Sequence, residues 1–294
     1  MNGLKISFFG GFDICLGEKS LDMRTSPRQL RLLSRLILIG ERTVDKRELA
    51  DLCFGYGGYT GRHEASLNAL NALVHRLRET LSRLHPDLAD SIIYENGGYR
   101  IKFPIGVTTD TCDFEALGSR ALGSTDLSEA KKYALEAISL YRGEFLGGML
   151  YDAYVRSLAE KYAAMHMRLV EFLFRILRSD GDHAEICRLS ERAIAISPLC
   201  ESFRYEKLLS LCDMKKYAEA REFYDATALL FAQKLSIAPS ERFRMLGERI
   251  PSVKENGVTV ILSPQMSEKI PEIRRALSNI TGLDEKRIEI LTKR

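Results

Sequence analysis

The stretch that decides the fold of the amino-terminal third runs from Arg62 to Phe103 and has two parts. Its first part contains NALNALVHRLR at residues 68–78, where apolar residues recur at helical spacing and polar or cationic residues occupy the other positions. Its second part is IIYENGGYRIKF at residues 92–103, where two apolar-rich runs flank an Asn-Gly pair. Such a pair is typical of a two-residue β-turn, so the sequence predicts a long amphipathic helix followed by a β-hairpin.

The two faces of the predicted helix differ in chemistry. The apolar face is a stripe formed by Leu70, Leu73, Val74, Leu77, Leu81 and Leu84, which we expect to pack against a core. The polar face carries Asn68, Asn71, Ala72, His75, Arg76 and Arg78. Asparagine can donate and accept hydrogen bonds at an adenine edge, alanine can approach a thymine methyl group, and arginine reaches phosphates or a guanine edge. This face therefore suits contact with DNA.

The residues upstream complete a recognisable order of elements. The runs between Leu4 and Leu16 favour short antiparallel strands, and Ser26-Pro27 is typical of a capped helix start. Asp45, with Glu48 three residues later, predicts a second helix through about Cys53. Strands, three helices with the last one long and basic, and a closing hairpin are typical of a winged helix-turn-helix.

The composition and spacing of residues change at Asp110, and the new pattern continues to Ile250. It is rich in alanine and leucine at helical spacing, and DHAEI at 182–186 is echoed by KYAEA at 216–220, an offset of 34 residues. That offset is the period of tetratricopeptide repeats, in which small residues let paired helices approach and stacked pairs bury a continuous core. The small residues in this segment are Ala130, Ala134, Ala137, Ala184, Ala193, Ala195, Ala218 and Ala220.

The last segment differs again, because β-rich runs at 257–262 and 287–291 flank a helical pattern at 268–280. We therefore predict a mainly α chain with a small β component and three parts. These parts are a winged helix-turn-helix domain at residues 1–104, an all-α tetratricopeptide-like domain at 105–250 and a small β-α-β appendage at 251–294.

Composition and motifs exclude several classes of protein. The 294 residues carry a net charge of only +3, so a case for DNA binding rests on local placement of charge. No long apolar run or leader pattern is present, and the six cysteines form no CxxC pair, so we expect a cytoplasmic protein with reduced cysteines and no membrane association. The sequence lacks GxxxxGK[ST], GxSxG and HExxH motifs, and the glycine-rich run 57–61 is only a weak phosphate-loop pattern. We predict no enzymatic activity, no cofactor and no metal.

Several motifs in this order resemble one family of regulators. NAL at 68–70, RLR at 76–78 and GYRI at 98–101 resemble the third helix and wing of OmpR-type output domains. Asp110, DFE at 113–115, LYRGEFL at 140–146 and SPLCE at 197–201 are similar to the bacterial transcriptional activator domain (BTAD). Joined in this order, they resemble the Streptomyces antibiotic regulatory protein (SARP) type of transcriptional regulator over roughly residues 4–250.

The resemblance implies a transcriptional regulator, expected to be an activator, that binds direct-repeat promoter sites and contacts RNA polymerase. It also implies binding as a homodimer or in tandem on double-stranded DNA, with the third helix in the major groove and the wing in the minor groove. The 54–61 loop corresponds to the connection proposed to contact polymerase. By position, Asn68, Asn71, Ala72 and His75 would face bases; Arg62, Arg76 and Arg78 would contact phosphate or a base edge; Asn96, Tyr99, Arg100 and Lys102 would belong to the wing.

A second class of function stays open from the sequence. Tetratricopeptide grooves commonly bind peptides, so the helical domain could make the chain a repeat-based interaction adaptor, or a ligand-sensing module. A basic outer face on the third helix would favour DNA binding. A concave groove with clustered cations or aromatic residues within 126–250 would favour the adaptor.

Overall fold

The computed structural model describes residues 3–22, 26–55, 62–149, 151–251, 258–262, 269–281 and 288–292. The chain divides into two compact units, Met1–Asp182 and His183–Arg294. The strands of the first unit are β1 (Leu4–Ser7), β2 (Asp13–Leu16), β3 (Lys19–Asp22), β4 (Val44–Asp45), β5 (Ile92–Glu95), β6 (Gly98–Ile101) and β7 (Val107–Thr109). Its helices are α1 (Pro27–Ile39), α2 (Lys46–Phe54), α3 (Arg62–Ser82), α4 (Asp110–Gly123), α5 (Leu127–Leu140) and α6 (Ala153–Ser179).

The amino-terminal sheet has the strand order β3-β2-β1-β7. Strands β1 and β2 form the predicted antiparallel pair, with Ile6 opposite Ile14, and β3 adds a third antiparallel strand that was not predicted. Strand β7 pairs with β1 in parallel, placing Val107 opposite Leu4. The sequence pattern did not predict β7, which follows the hairpin and returns the chain to its first strand.

Helices α1, α2 and α3 form the predicted helical part of the winged helix. Pro27 begins α1, although the side chain of Ser26 makes no cap hydrogen bond, so that part of the predicted helix start is absent. Asp45 does cap α2, because its carboxylate accepts a hydrogen bond of 2.7 Å from the backbone N–H of Arg47. The predicted apolar stripe of α3 is confirmed, since each of its six side chains is at most 3% exposed.

The predicted hairpin is present. A third strand, β4, which lies between α1 and α2 in the chain, pairs with it. The sheet order is β4-β6-β5, and the turn residues Asn96 and Gly97 have φ of 51° and 79°, as a two-residue type I′ turn requires. A Cβ at Gly98 would lie 2.1 Å from the carbonyl oxygen of Val44, so only glycine allows β4 and β6 to approach this closely. Glycine at this position therefore allows β4 to pair with the hairpin.

Helices α4, α5 and α6 share a core with the amino-terminal sheet. The ring of Phe9 lies 5.2 Å from that of Phe114 and 5.3 Å from that of Tyr162, measured between centroids. The Asp110 carboxylate accepts backbone hydrogen bonds of 2.9 Å from Phe8 and 3.0 Å from Phe9. Burial raises the pKa of Asp110, while these two backbone donors act in the opposite direction. The sheet and the helices are therefore one packed body.

A second contact joins α1 to the segment that begins α6, and we call it the α1 seam. It consists of Arg31, Ser34, Arg35 and Leu38 on α1 with Tyr151, Asp152 and Tyr154. The hydroxyls of Ser34 and Tyr151 are 2.7 Å apart, and the guanidinium of Arg35 lies 4.6 Å from the centroid of the Tyr154 ring. The same guanidinium reaches Asp152 at 3.4 Å and Glu48 of α2 at 2.7 Å. Helices α1, α2 and α6 thus meet at one arginine.

The second unit contains α7 (His183–Ile196), α8 (Glu201–Asp213), α9 (Tyr217–Leu235), α10 (Glu241–Glu248), β8 (Val258–Leu262), α11 (Ile270–Thr281) and β9 (Ile288–Thr292). Helices α7 and α9 start 34 residues apart, in agreement with the predicted repeat. Ring stacking of Tyr224 on Phe243, with centroids 5.6 Å apart, lies in its core. Strands β8 and β9 pair in parallel around α11, which is the predicted β-α-β order.

The predicted small residues divide into two groups. Ala130, Ala134, Ala137, Ala193 and Ala220 are buried, as close helix pairing requires, whereas Ala184, Ala195 and Ala218 are exposed. Helix pairing therefore accounts for only part of the alanine pattern.

Candidate nucleic-acid interface

The outer face of α3 and the hairpin β5–β6 lie side by side, and we call their polar and aromatic residues the polar edge. Its members are Asn68, Asn71, Ala72, His75, Arg76, Arg78, Tyr94, Asn96, Tyr99, Arg100 and Lys102. Two hydrogen bonds and the packing of the hairpin hold its helix and strands together. Its residues differ in how strongly the fold already engages them.

The α3 part of the polar edge is open to solvent. Asn68, Asn71, Ala72, His75 and Arg76 are all exposed, opposite the buried stripe. The side chain of His75 is 74% exposed and its Nδ1 lies 3.5 Å from Glu79. Arg76 donates from Nε to the carbonyl of Ala72 at 3.3 Å, a contact within its own helix turn. These side chains can meet a ligand without rearrangement of the fold.

Arg78, which was predicted to contact phosphate or a base edge, also makes a contact within the fold. Its Nη2 donates to the carbonyl oxygen of Ile92 at 2.7 Å, and the side chain is half-buried. The guanidinium therefore joins α3 to Ile92, the first residue of β5. This contact requires the helix and the hairpin to lie close together, which the sequence pattern did not indicate. The side chain of Arg62, which was also predicted to contact phosphate or a base edge, lies outside the described part of the structure.

A second hydrogen bond between helix and hairpin connects Tyr99 and Asn71. Tyr99 is only 7% exposed, and its hydroxyl donates to Oδ1 of Asn71 at 3.0 Å. Burial raises the pKa of Tyr99, and the nearby Arg78 acts against that rise. The phenol thus remains protonated and able to donate at neutral pH, while the Asn71 side chain stays exposed at the surface.

The cations of the wing lie on the face of the hairpin opposite Tyr99. Arg100 is paired, with Nε 2.6 Å from Oε1 of Glu95, and the same oxygen accepts a hydrogen bond of 2.9 Å from the hydroxyl of Thr43. Thr43 and then Arg100 hold the pKa of Glu95 below its ordinary value. Lys102 is exposed and lies 3.9 Å from Glu41. Asn96 is exposed at the hairpin tip, where the sequence pattern placed it.

Tyr94 is the residue of this region that sequence reasoning missed. It is 56% exposed and lies directly opposite Tyr99 in the hairpin register, with ring centroids 5.2 Å apart. Cross-strand partners share a face of the sheet, so the alternation of the hairpin contained the signal. Tyr94 extends the face of Tyr99 beyond the core, toward solvent.

Other predicted features fall partly outside the described ranges. Residues 56–61, which include the glycine-rich run and most of the loop compared with a polymerase-contacting connection, are not among the described residues. Within the described residues, no cluster of His, Cys, Asp or Glu could hold a metal ion. None of the described helices is both long enough and apolar enough to cross a membrane.

The fold defines the class of protein first. A helix pair, a long third helix and a β-hairpin, followed by paired helices, define a winged helix-turn-helix protein with a helical second domain. Residues 109–251 match the family model of the bacterial transcriptional activator domain. Helices α4 to α10 all lie within that match.

Two known regulatory proteins are similar to most of this chain. Regulatory protein AfsR of Streptomyces coelicolor is 25% identical over 264 residues, which cover 87% of this chain and 26% of that protein. Regulatory protein AfsR of Streptomyces griseus is 26% identical over 227 residues, which cover 76% of this chain and 22% of that protein. The chain therefore spans about a quarter of the length of these relatives. These matches support the resemblance to SARP-type transcriptional regulators that the sequence indicated.

A solved structure has the same fold. Mycobacterium tuberculosis EmbR, determined in complex with a low affinity phosphopeptide, superposes with a TM-score of 0.57 at 18% identity. The match covers 85% of this chain and 65% of that chain. The mainly helical architecture that follows an amino-terminal winged helix is thereby confirmed.

Proposed function

We propose that this regulator binds double-stranded DNA sequence-specifically through the polar edge, with α3 in the major groove and the hairpin tip in the adjacent minor groove. The observation that carries the proposal is the division of α3 into a fully buried stripe and an exposed face of Asn68, Asn71, Ala72, His75 and Arg76. A major groove admits one α-helix, and these residue types can contact base edges and phosphates.

The hairpin tip supports the minor-groove part of the proposal. Asn96 and Gly97 project from a tight turn, and no other group lies within 4 Å of where a Cβ at Gly97 would stand. A narrow tip of this kind can enter a groove that is only about 6 Å wide. Lys102, on the outer face of the wing, is placed to approach a phosphate as the tip enters.

The resemblance to SARP-type regulators supports a wider regulatory role. We propose that the chain acts as an activator at direct-repeat promoter sites, that it contacts RNA polymerase, and that it occupies the site as a homodimer or in tandem. In this arrangement the domain at residues 1–104 contacts DNA and the domain at 105–250 serves association or signal input. The role of residues 251–294 is left unassigned.

Selection of bound fragments from a genomic DNA pool tests the proposal directly. The 294-residue chain should enrich fragments that share a short sequence repeated in the same orientation. Recovered repeats would report binding, spacing and stoichiometry together. Failure to enrich any sequence above the starting pool would contradict sequence-specific binding.

Salt dependence tests the assigned phosphate contact of Arg76. Binding that releases counterions weakens as salt increases, and loss of one phosphate contact reduces the slope of log K against log salt by about one unit. We expect this change in Arg76→Ala. Arg156→Ala, which removes an exposed arginine from α6, should leave the slope unchanged and serves as the matched control. Equal slopes in wild type and Arg76→Ala would contradict the assignment.

One observation favours the second candidate, a peptide-binding adaptor. A cavity of about 480 Å³ lies between α7, α8 and α9, and Lys207 and Phe223 are among its lining residues. The Lys207 ammonium lies 4.7 Å from the centroid of the Phe223 ring. If the chain is such an adaptor, peptides selected from a random library by wild type should fail to bind Phe223→Ala. If no peptides are selected, the adaptor function is excluded.

A further inference from the structure

We infer that Tyr99 is a specificity-determining positioning residue, which orients the Asn71 carboxamide so that its Nδ2 donors meet a hydrogen-bond acceptor on a base edge. The inference rests on the proposed DNA-binding function and deepens it. It assigns a role in base readout to a side chain that is itself almost fully buried. The contact that carries it is the 3.0 Å hydrogen bond from the Tyr99 hydroxyl to Oδ1 of Asn71.

The chemistry of a carboxamide explains why this contact matters. The Asn71 side chain has an acceptor end and a donor end, and a rotation of its terminal group exchanges them. A phenol hydroxyl that donates to Oδ1 stabilises one of the two orientations. The two Nδ2–H groups then remain to face the ligand, and the major-groove acceptors are purine N7, guanine O6 and thymine O4.

A positioning residue must itself be fixed, and Tyr99 is. It lies on β6, the central strand of its sheet, between Val44 of β4 and Tyr94 of β5. The neighbouring Gly98 fixes the approach of β4, because any Cβ there would meet the Val44 carbonyl oxygen at 2.1 Å. Arg78 adds a second connection between α3 and the hairpin through its 2.7 Å hydrogen bond to Ile92. The donor hydroxyl therefore keeps its place relative to the helix.

This arrangement also couples the two halves of the polar edge. Asn71 belongs to the helix proposed for the major groove, whereas Tyr99 belongs to the hairpin proposed for the minor groove. The base preference of Asn71 therefore depends on the position of the hairpin relative to α3. Free rotation of the carboxamide would let it present either end to a base, which weakens discrimination more than affinity.

The test compares selected DNA sites for wild type, Tyr99→Phe, Asn71→Ala and the double variant. Tyr99→Phe keeps the ring and removes only the donor hydroxyl. We expect discrimination to fall by about three- to tenfold at the base pair whose preference Asn71→Ala abolishes, the range expected for one net hydrogen bond. In the Asn71→Ala background, Tyr99→Phe should have no further effect at that base pair.

The matched control is Tyr133→Phe, which removes a hydroxyl from a tyrosine of α5, outside the polar edge. It should leave the preference at the Asn71 base pair unchanged. The slope of affinity against salt should be the same in Tyr99→Phe as in wild type, because no phosphate contact is lost. A thermal unfolding curve for each variant reports whether the fold is retained.

The outcomes separate the inference from the proposed function. If wild type enriches a sequence and Tyr99→Phe has the same base profile, the inference is wrong and DNA binding stands. If Tyr99→Phe lowers discrimination equally in the presence and absence of Asn71, its role is structural and the inference is again wrong. If wild type enriches no sequence, the proposed function fails and the inference fails with it.

Discussion

The polar edge and the α1 seam are built from the same residue types, arginine and tyrosine, and use them in opposite ways. At the seam, the Arg35 side chain is 14% exposed and touches two carboxylates and an aromatic ring. At the polar edge, Arg76 is exposed, and the hydrogen bond it donates goes to a carbonyl of its own helix. The contacts of Arg35 are therefore made within the fold, whereas the side chain of Arg76 is open to solvent.

The same division runs through the polar edge itself. Arg78 and Arg100 are engaged by Ile92 and Glu95, whereas the side chains of Asn68 and Arg76 are exposed. The engaged residues connect helix to hairpin or strand to strand, and the exposed ones lie along the outer face of α3. The fold thus engages Arg78 and Arg100 and leaves the side chains of Asn68 and Arg76 exposed to solvent.

The largest expected effect comes from replacing one arginine of each region, Arg35 and Arg76, with methionine. Arg35→Met should lower the free energy of unfolding by about 2 kcal/mol, because it leaves Asp152 and Glu48 without their cation and removes a cation–π contact. Arg76→Met should change it by less than about 0.5 kcal/mol, as is usual for an exposed residue. Urea unfolding followed by circular dichroism measures both values. Similar losses in the two variants would remove the distinction between seam and edge.

An intermediate effect is expected from Tyr151→Phe at the seam. At neutral pH the variant loses the hydrogen bond to Ser34, which should cost about 1 kcal/mol. Burial raises the pKa of Tyr151 to about 12, whereas the unfolded chain ionises near the ordinary value of 10.0. The stability that depends on the protonated phenol is fully present below about pH 10 and decreases as the pH rises toward about 12.

The pH series separates this contribution from other tyrosines. Because the variant lacks the Tyr151 ionisation, the stabilities of wild type and Tyr151→Phe should converge as the pH rises above 10.0, the ordinary pKa of a tyrosine. Some pH dependence should persist in the variant, since burial also raises the pKa of Tyr141 to about 12. Stability curves that stay parallel up to pH about 11 would show that Tyr151 does not contribute in this way.

The smallest effect on stability is expected from Glu95→Gln. This variant also tests directly whether an engaged arginine differs from an exposed one in DNA binding. The variant removes the carboxylate that holds Arg100, so an engaged arginine of the polar edge becomes available to a phosphate. DNA affinity should increase and the salt slope should steepen by up to about one unit. Because the pKa of Glu95 is lowered in the fold, its contribution to stability is present above its ordinary pKa of 4.5 and is lost as the pH falls.

Glu79→Gln provides the control for that experiment. Glu79 is an exposed carboxylate on α3, and its ion pair is with His75. The substitution removes the same negative charge from the polar edge and releases no arginine. Affinity should rise slightly while the salt slope stays constant. A steeper slope in both variants would mean that general charge, and not the release of Arg100, causes the change.

Local sequence patterns predicted the elements of the winged helix well. The apolar stripe of α3 requires only helical periodicity, and the hairpin turn requires only that Asn96 and Gly97 tolerate positive φ. The cap of α2 is equally local, since Asp45 accepts from a backbone group two residues away. Features that depend on neighbours along the chain could therefore be predicted from the sequence.

Features that depend on distant residues were not. The hydrogen bonds of Arg78 to Ile92 and of Tyr99 to Asn71 form because α3 packs beside the hairpin, and no spacing rule encodes that distance. Strand β7 was not predicted because three residues are too few to show a strand pattern. Its partner, β1, is also far away along the chain. The sequence indicated which residues could contact DNA, and the structure distinguished those that the fold already engages.

The pairing of β1 with β7 has a consequence for the order in which the chain can fold. Strand β1 is synthesised before its parallel partner, which begins at Val107, after the whole hairpin. Until then β1 is an open edge that can pair with another chain, while the hairpin needs only its own residues to form. The amino-terminal sheet can therefore be completed only after the hairpin has been synthesised, when Asp110 is available to accept from the backbone N–H groups of Phe8 and Phe9.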